Sequence, residues 1–207
     1  MNDREITVTA VVMRDVNMGD SAKALTCFTK ELGRISVAAS GAKKITGKLS
    51  SATSLFTLSR MRLIKGKGEM YKLVGADVLE SFYNITSDYD SYTSACNLTV
   101  KTLKIIQDQL EDSQLFDLYI STLRCLSLHI KEASFVETVY YIKLTDISGW
   151  GPDIDELYEK GLKKATLLAI KFILENDNDR IYNFTVSQCN LLELEKLSLD
   201  LIDKIFR

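Results

Sequence analysis

Residues 56–65 read Phe-Thr-Leu-Ser-Arg-Met-Arg-Leu-Ile-Lys, and their alternation decides the fold. Ser59, Met61 and Leu63 share one phase, and Arg60 and Arg62 share the other. Successive side chains of a strand point to opposite faces, so this segment is a β-strand with an inner apolar row and two arginines directed outward together.

Similar segments lie on both sides of it. Upstream, residues 34–39 (Arg-Ile-Ser-Val-Ala-Ala) put Ile35 and Val37 inward, Glu31-Leu32-Gly33 turns the chain, and residues 24–29 (Ala-Leu-Thr-Cys-Phe-Thr) form another strand. Asn17-Met18-Gly19-Asp20-Ser21 supplies turn residues. Before it, residues 6–14 place Ile6, Val8, Ala10 and Val12 on one side, in a β-branched context that favours strands. Downstream, Gly66-Lys67-Gly68 reads as a tight hairpin. Residues 69–79 return as the fifth strand, with Tyr71 opposite Lys72 and Val74 and taken as outward-facing. Between the third and fourth strands runs a basic loop, Gly41 to Gly47, followed by Lys48 and one expected helical turn. Five short strands with a break after the third match an OB-fold barrel. An SH3-like barrel or a twisted open sheet has the same count.

After residue 80 the apolar period lengthens from two to 3.6. Residues 88–110 place Tyr89, Tyr92, Cys96, Val100, Leu103, Ile106 and Leu110 on one predicted inner face. Further helices are expected over 114–130, 133–147, 155–175 and 189–206, with the third ending at Gly149-Trp150-Gly151-Pro152. Apolar helix faces persist by packing together, so these imply one shared core. The expected class is α+β: an N-terminal five-stranded OB-fold β-barrel over residues 1–80 and an all-helical C-terminal domain over 81–207.

Charge follows the same boundary. Residues 1–72 hold thirteen Lys/Arg and six Asp/Glu, while residues 81–207 hold thirteen and twenty, so a net charge of −2 conceals a basic front and an acidic back. Between Gly33 and Lys67, eight Lys/Arg pass without a carboxylate. Such a run points to a polyanion partner. Arg14, Arg34, Lys43, Lys44, Lys48, Arg60, Arg62, Lys65 and Lys67 are the candidate phosphate-contacting residues. Aromatic residues in this part are few (Phe28, Phe56, Tyr71), so phosphate contacts should outweigh base stacking, with weak sequence preference and strong salt sensitivity.

Other chemistries find little support. Hydrophobic residues make up 46% of the 207-residue chain and charged residues 26%, which excludes wholesale disorder. No apolar run approaches the length of a membrane span and no secretory layout opens the chain, so a cytoplasmic, nucleoid-associated protein is expected. Cys27, Cys96, Cys125 and Cys189 stand singly and are expected to be reduced thiols; with no ligand spacing, neither metal nor cofactor is expected. The one histidine, His129, sits in an apolar stretch read as helix, more a packing position than a catalytic base. Gly41 to Gly47 with Lys48 resembles a P-loop but is one residue too long, and Leu49 stands where Ser/Thr should hold magnesium. Asp153, Asp155 and Glu156 read as a helix N-terminal cap, and Asp177 and Asp179 as a solvated loop.

A series of short stretches resembles the RecO family of bacterial recombination mediators. They are Gly19-Asp20-Ser21 to Phe28-Thr29, Gly33-Arg34-Ile35-Ser36, Gly41-Ala42-Lys43, Leu49 to Phe56, Leu79-Glu80-Ser81-Phe82 and Ile147-Ser148-Gly149-Trp150-Gly151-Pro152, in the family's order. The resemblance implies an OB-fold that binds single- and double-stranded DNA and anneals complementary strands. It also implies work with RecR to load RecA onto strands coated by single-strand-binding protein (SSB), and docking of the acidic SSB C-terminal tail on the helical part, with Arg124 and Lys131 as possible contacts. Many members carry a cysteine-based zinc module after the Gly-aromatic-x-Pro turn; here Pro152 runs through Asp153-Ile154-Asp155 into a helix, so the module is expected to be missing. The competing reading is a non-catalytic adaptor whose basic barrel face meets an acidic protein. An enzyme is disfavoured, since no nucleophile–base pair or metal spacing appears.

Overall fold

The structure, a computed structural model, describes residues 5–42, 48–66 and 68–206, with the Lys48 side chain outside the description. Five strands form the first part: β1 (Glu5–Met18), β2 (Ala22–Thr29), β3 (Gly33–Ser40), β4 (Thr57–Lys65) and β5 (Tyr71–Ser81), with helix α1 (Lys48–Ala52) between β3 and β4. They close into a barrel in the order β1-β2-β3-β5-β4. Every pairing is antiparallel except β3 with β5, which run parallel through Val37–Tyr71 and Ala38–Lys72. Closure by that parallel contact, with a helix before β4, is the OB-fold arrangement.

The barrel is filled by the alternate residues that its strand period selects: Val8, Ala10, Val12, Leu25, Cys27, Ile35, Val37, Met61 and Leu63, with Leu73 at the β5 end. Tyr71 belongs to this core and is 5% exposed. This corrects the outward placement: Tyr71 is in phase with Leu73, and its partner Val37 faces the interior, so strand parity carries the ring inward.

Two backbone features tie the barrel together. Phe56, buried with φ 55°, donates its N–H to Val12 O at 2.9 Å and accepts from Phe82 N at 3.2 Å. A bulky residue at positive φ is strained, and here two backbone hydrogen bonds hold it. Gly33, at φ 60°, adjoins the segment 107–110, where Arg34 N–H donates to Gln107 O (3.1 Å) and Gln109 N–H to Arg34 O (3.3 Å). A Cβ on Gly33 would lie 2.1 Å from Leu110 O, so only glycine fits that approach. Phe28 also meets Phe116 edge-on at 5.2 Å. Accordingly, contacts divide the chain into one compact unit of 1–83 with 102–116 and another of 84–101 with 117–207.

The remaining helices are α2 (Tyr89–Ile105), α3 (Ser113–Ser127), α4 (Ala133–Ile147), α5 (Ile154–Glu159), α6 (Lys164–Glu175) and α7 (Gln188–Ile205), after a 3₁₀ turn at Tyr83–Ser87. Helix α4 is central to the second unit: eleven of its fifteen residues are buried, and it packs on α6 and α7. Buried hydroxyls are paired, Thr99 with Tyr119 at 2.7 Å and Thr122 with Tyr182 at 2.6 Å, which removes the penalty of burying them alone. Lys143, also buried, donates to Leu174 O near the C-terminus of α6, where a cation offsets the helix dipole.

Three expectations for the helices are corrected. The single helix over 155–175 is two, because Gly161 at φ 82° ends α5 in a Schellman turn, with Leu162 N–H donating to Leu157 O and Gly161 N–H to Tyr158 O. His129 is not inside a helix. It closes α3 in the same manner at φ 49°, with Ile130 N–H on Cys125 O and its own N–H on Leu126 O. Finally, α2 stops at Ile105 and buries the face opposite to the one expected. Ser91, Ser94, Ala95, Leu98, Thr99 and Thr102 point inward, while Tyr89, Tyr92 and Val100 are exposed. Small and hydroxylated side chains let this helix approach its neighbours closely, a signal that hydrophobicity alone does not carry.

Candidate nucleic-acid interface

Alternation on β4 turns Ser59, Met61 and Leu63 inward and leaves Arg60 and Arg62 exposed on the outer face. Arg60 stands opposite Thr9 of β1 and Asp77 of β5; Arg62 stands opposite Thr7 and Gly75. An ideal Cβ on Gly75 would fall 2.4 Å from an Arg62 Nη atom, so the missing side chain lets the guanidinium rest on the sheet. Arg62 also reaches Glu5, Nη1 to Oε1 3.5 Å, with both side chains half exposed. Lys65 follows on the same strand but in the inward phase, at the barrel mouth beside Tyr71, and so not on the side of the two arginines.

Arg14 reaches the surface through a bulge. Strict alternation from Val8, Ala10 and Val12 would send it into the barrel, but the register shifts between Val12 and Arg14 and places Arg14 outward, opposite Thr26. Its surroundings are the outer face of β2 and β3, where Ala24 pairs with Ala38 and Thr26 with Ser36; Lys72 of β5 pairs with Ala38 at the far side. The β2–β3 face is the usual ligand surface of OB-folds. The sequence reading passed over Lys72 because it took Tyr71 as outward-facing; with Tyr71 and Leu73 inward, Lys72 is exposed.

Arg34 is engaged within the protein. Its Nε lies 2.6 Å from Asp108 Oδ1, and Nη1 donates to Leu103 O at 3.0 Å. The hydrogen bond from Arg34 holds the Asp108 carboxyl below its usual range, and that from Asp108 raises the Arg34 guanidinium above its own. Lys43, Lys44 and Lys67 lie outside the described residues, as does the side chain of Lys48. The described candidates thus fall into four places: Arg60 and Arg62 on the outer face of β4, Lys65 at the barrel mouth, Arg14 on the β2–β3 face, and Arg34 against the 107–110 segment.

Carboxylates come to this surface from strands distant in sequence. Glu5 meets Arg62, Asp77 stands across from Arg60, and Glu31 accepts the Thr9 N–H with both oxygens, at 3.0 and 2.9 Å. The uninterrupted basic run along the chain is therefore mixed in space. Among the described residues no three His, Cys, Asp or Glu side chains gather as metal ligands, and no helix is long and apolar enough to cross a membrane.

Comparison with known proteins adds relatives. A sequence profile described as Recombination protein O N terminal matches residues 1–82. A protein of Acetivibrio thermocellus called DNA repair protein RecO is 26% identical, the match covering 93% of this chain and 88% of that one. The chain is similar to RecO proteins over most of its length, and its barrel matches the N-terminal profile of that family. The RecO of Clostridium perfringens strain 13 is 27% identical over 95% of this chain and 91% of its own, and that of Caldicellulosiruptor saccharolyticus 26% identical over 97% and 78%. The family is thus one of DNA repair and recombination by name. The first two alignments run over 223 and 227 positions; the matched part of this chain supplies about 193 and 197 of them, which leaves about 30 with no counterpart here.

Proposed function

We propose that this protein is a non-enzymatic recombination mediator of the RecO family. Its barrel binds the phosphate backbone of single- and double-stranded DNA, anneals complementary strands, and, with RecR, helps to load RecA on SSB-coated DNA. The observation that supports this best is the exposure of Arg60 and Arg62 on one outer face of an OB-fold barrel, with Arg14 and Lys72 on the β2–β3 face. Binding through arginine and lysine without an aromatic platform is dominated by counterion release and reads sequence weakly. The buried Tyr71 strengthens that expectation, since it removes the one aromatic assigned to stacking.

Arg34 has a different role in this reading: it fastens β3 to the 107–110 segment, and contributes to DNA binding by holding the barrel's shape. Lys65 at the barrel mouth supplies a further phosphate contact, as do Lys43, Lys44, Lys48 and Lys67. The acidic SSB tail docks on the helical part. In this reading Pro152 runs straight into the helix that follows, and the mediator works without the zinc module that many members carry there.

The deciding experiment is strand annealing on bare and on SSB-coated complementary oligonucleotides. A mediator accelerates both. An adaptor that meets an acidic protein through the same face accelerates neither and binds no oligonucleotide at physiological salt.

A further inference from the structure

Helices α6 and α7 start side by side, and two side-chain pairs fix their register. Thr166, in the first turn of α6, donates its hydroxyl to the Glu193 carboxylate of α7. One turn earlier on each helix, Lys163 at the N-cap of α6 meets Cys189 in the first turn of α7, with Nζ 2.7 Å from Sγ. Lys163 and Thr166 are three residues apart and Cys189 and Glu193 four, so both pairs lie along one seam. Thr166 is buried while Lys163 and Cys189 are exposed, which leaves the seam open to solvent at this pair.

The separation of the two atoms selects the chemistry. Nitrogen and sulfur stand farther apart than 2.7 Å in van der Waals contact or in an N–H···S hydrogen bond, and far closer when bonded directly. The observed spacing is close to that of two atoms joined to one shared oxygen. The hydrogen bond with Cys189 raises the Lys163 ammonium above its usual range, with the Glu193 carboxylate adding to it, so the pair is held together in the reduced protein. The thiolate is the nucleophile toward peroxide, and Cys189 is the exposed cysteine of the four.

We propose that Lys163 and Cys189 form an oxidation-sensitive covalent clasp, an Nζ–O–Sγ bridge made by hydrogen peroxide between the starts of α6 and α7. The Cys189 sulfur attacks one peroxide, the O–O bond breaks, and sulfenic acid and water result. A second peroxide oxidises the Lys163 amine by two electrons to the hydroxylamine and is itself reduced to water. The hydroxylamine oxygen then displaces water from the sulfenic sulfur. In sum, one amine, one thiol and two peroxides give the bridge and three waters. The bridge closes the chain across a separation of 26 residues and removes the Lys163 charge.

Peroxide treatment of the full chain at low concentration, followed by thiol blocking, tryptic digestion without reductant and tandem mass spectrometry, tests this. The expected product joins residues 161–164 to 181–196, with the summed peptide mass plus one oxygen less two hydrogens. One equivalent of dithiothreitol should break the S–O bond, returning the Cys189 thiol and leaving Lys163 heavier by one oxygen. Lys163→Arg should lose the link and let Cys189 proceed to sulfinic acid. Both side chains are exposed, so unchanged thermal melting of the variant separates a lost link from lost folding. Cys189 recovered as thiol or sulfinic acid without the link, a link that persists in Lys163→Arg, or release of unmodified Lys163 by dithiothreitol would overturn the proposal.

Discussion

Arg34 Nε lies 2.6 Å from Asp108 Oδ1, and this pair joins strand β3 to a segment more than seventy residues downstream. Beneath it, Gly33 admits the Leu110 carbonyl where any Cβ would collide. Gly33→Ala should therefore destabilise the protein by about 3 kcal/mol or more, combining positive-φ strain with a backbone clash. Chemical denaturation measures it; a loss below about 1 kcal/mol would show that the segment yields easily.

Asp108→Asn should cost under about 1 kcal/mol, because the pair is largely exposed. Its pH dependence follows from the lowered Asp108 carboxyl. The unfolded carboxyl binds protons more readily, so the pair's contribution is complete above the ordinary value of 3.8 and is lost as pH falls through the lower folded value. Urea melts of wild type and variant should differ at pH 7 and converge in acid. A gap that widens in acid would contradict the assignment.

His129 holds the left-handed position that closes α3, with Nδ1 at a long 3.4 Å from Ser91 Oγ. His129→Gly should stabilise by about 0.5–1 kcal/mol, since glycine adopts that conformation without strain. A melting temperature lower than wild type would mean that the imidazole contacts outweigh the strain.

Thiol reactivity should sort by burial. Burial pushes Cys27 up to about 12 and Cys125 up to about 11, whereas Cys189 is exposed. A chromogenic disulfide reagent at neutral pH should modify Cys189 first and Cys96 more slowly, and reach Cys27 and Cys125 only after denaturation. Rapid native labelling of four thiols would contradict the packing.

The strands were legible because each carries a two-residue period with β-branched or alternating apolar residues, and strand phase alone placed Arg60 and Arg62 outward. Arg14, a named candidate, faces outward only because of the bulge after Val12, a register event with no composition signal. Two failures have distinct causes. The α2 face was inverted because its buried side is Ser, Ala and Thr, which a search for large apolar residues overlooks. Long-range pairing by Glu5 and Asp108, and the place of Asp77 across from Arg60, escaped a reading that measured charge along the chain, because their partners are distant in sequence.

Glu5 pairs with Arg62, so its neutral variant should bind DNA more tightly. Glu5→Gln should improve affinity about two- to fivefold at low salt, as expected for the loss of one weak exposed pair. Fluorescence anisotropy with a labelled oligonucleotide reads this directly. Weaker binding by Glu5→Gln would show that Glu5 orients Arg62 rather than competing for it.

The most direct test of the central claim is the salt dependence of single-stranded DNA affinity for wild type and for the Arg60→Glu/Arg62→Glu double variant. Contact with about four to six phosphates predicts a wild-type affinity that falls at least tenfold between about 50 and 200 mM salt. The double variant should bind much more weakly and lose about 1.4 units of the log–log slope, with unchanged thermal melting. Equal affinity and equal slope in the two proteins would contradict the assignment of DNA binding to this barrel face.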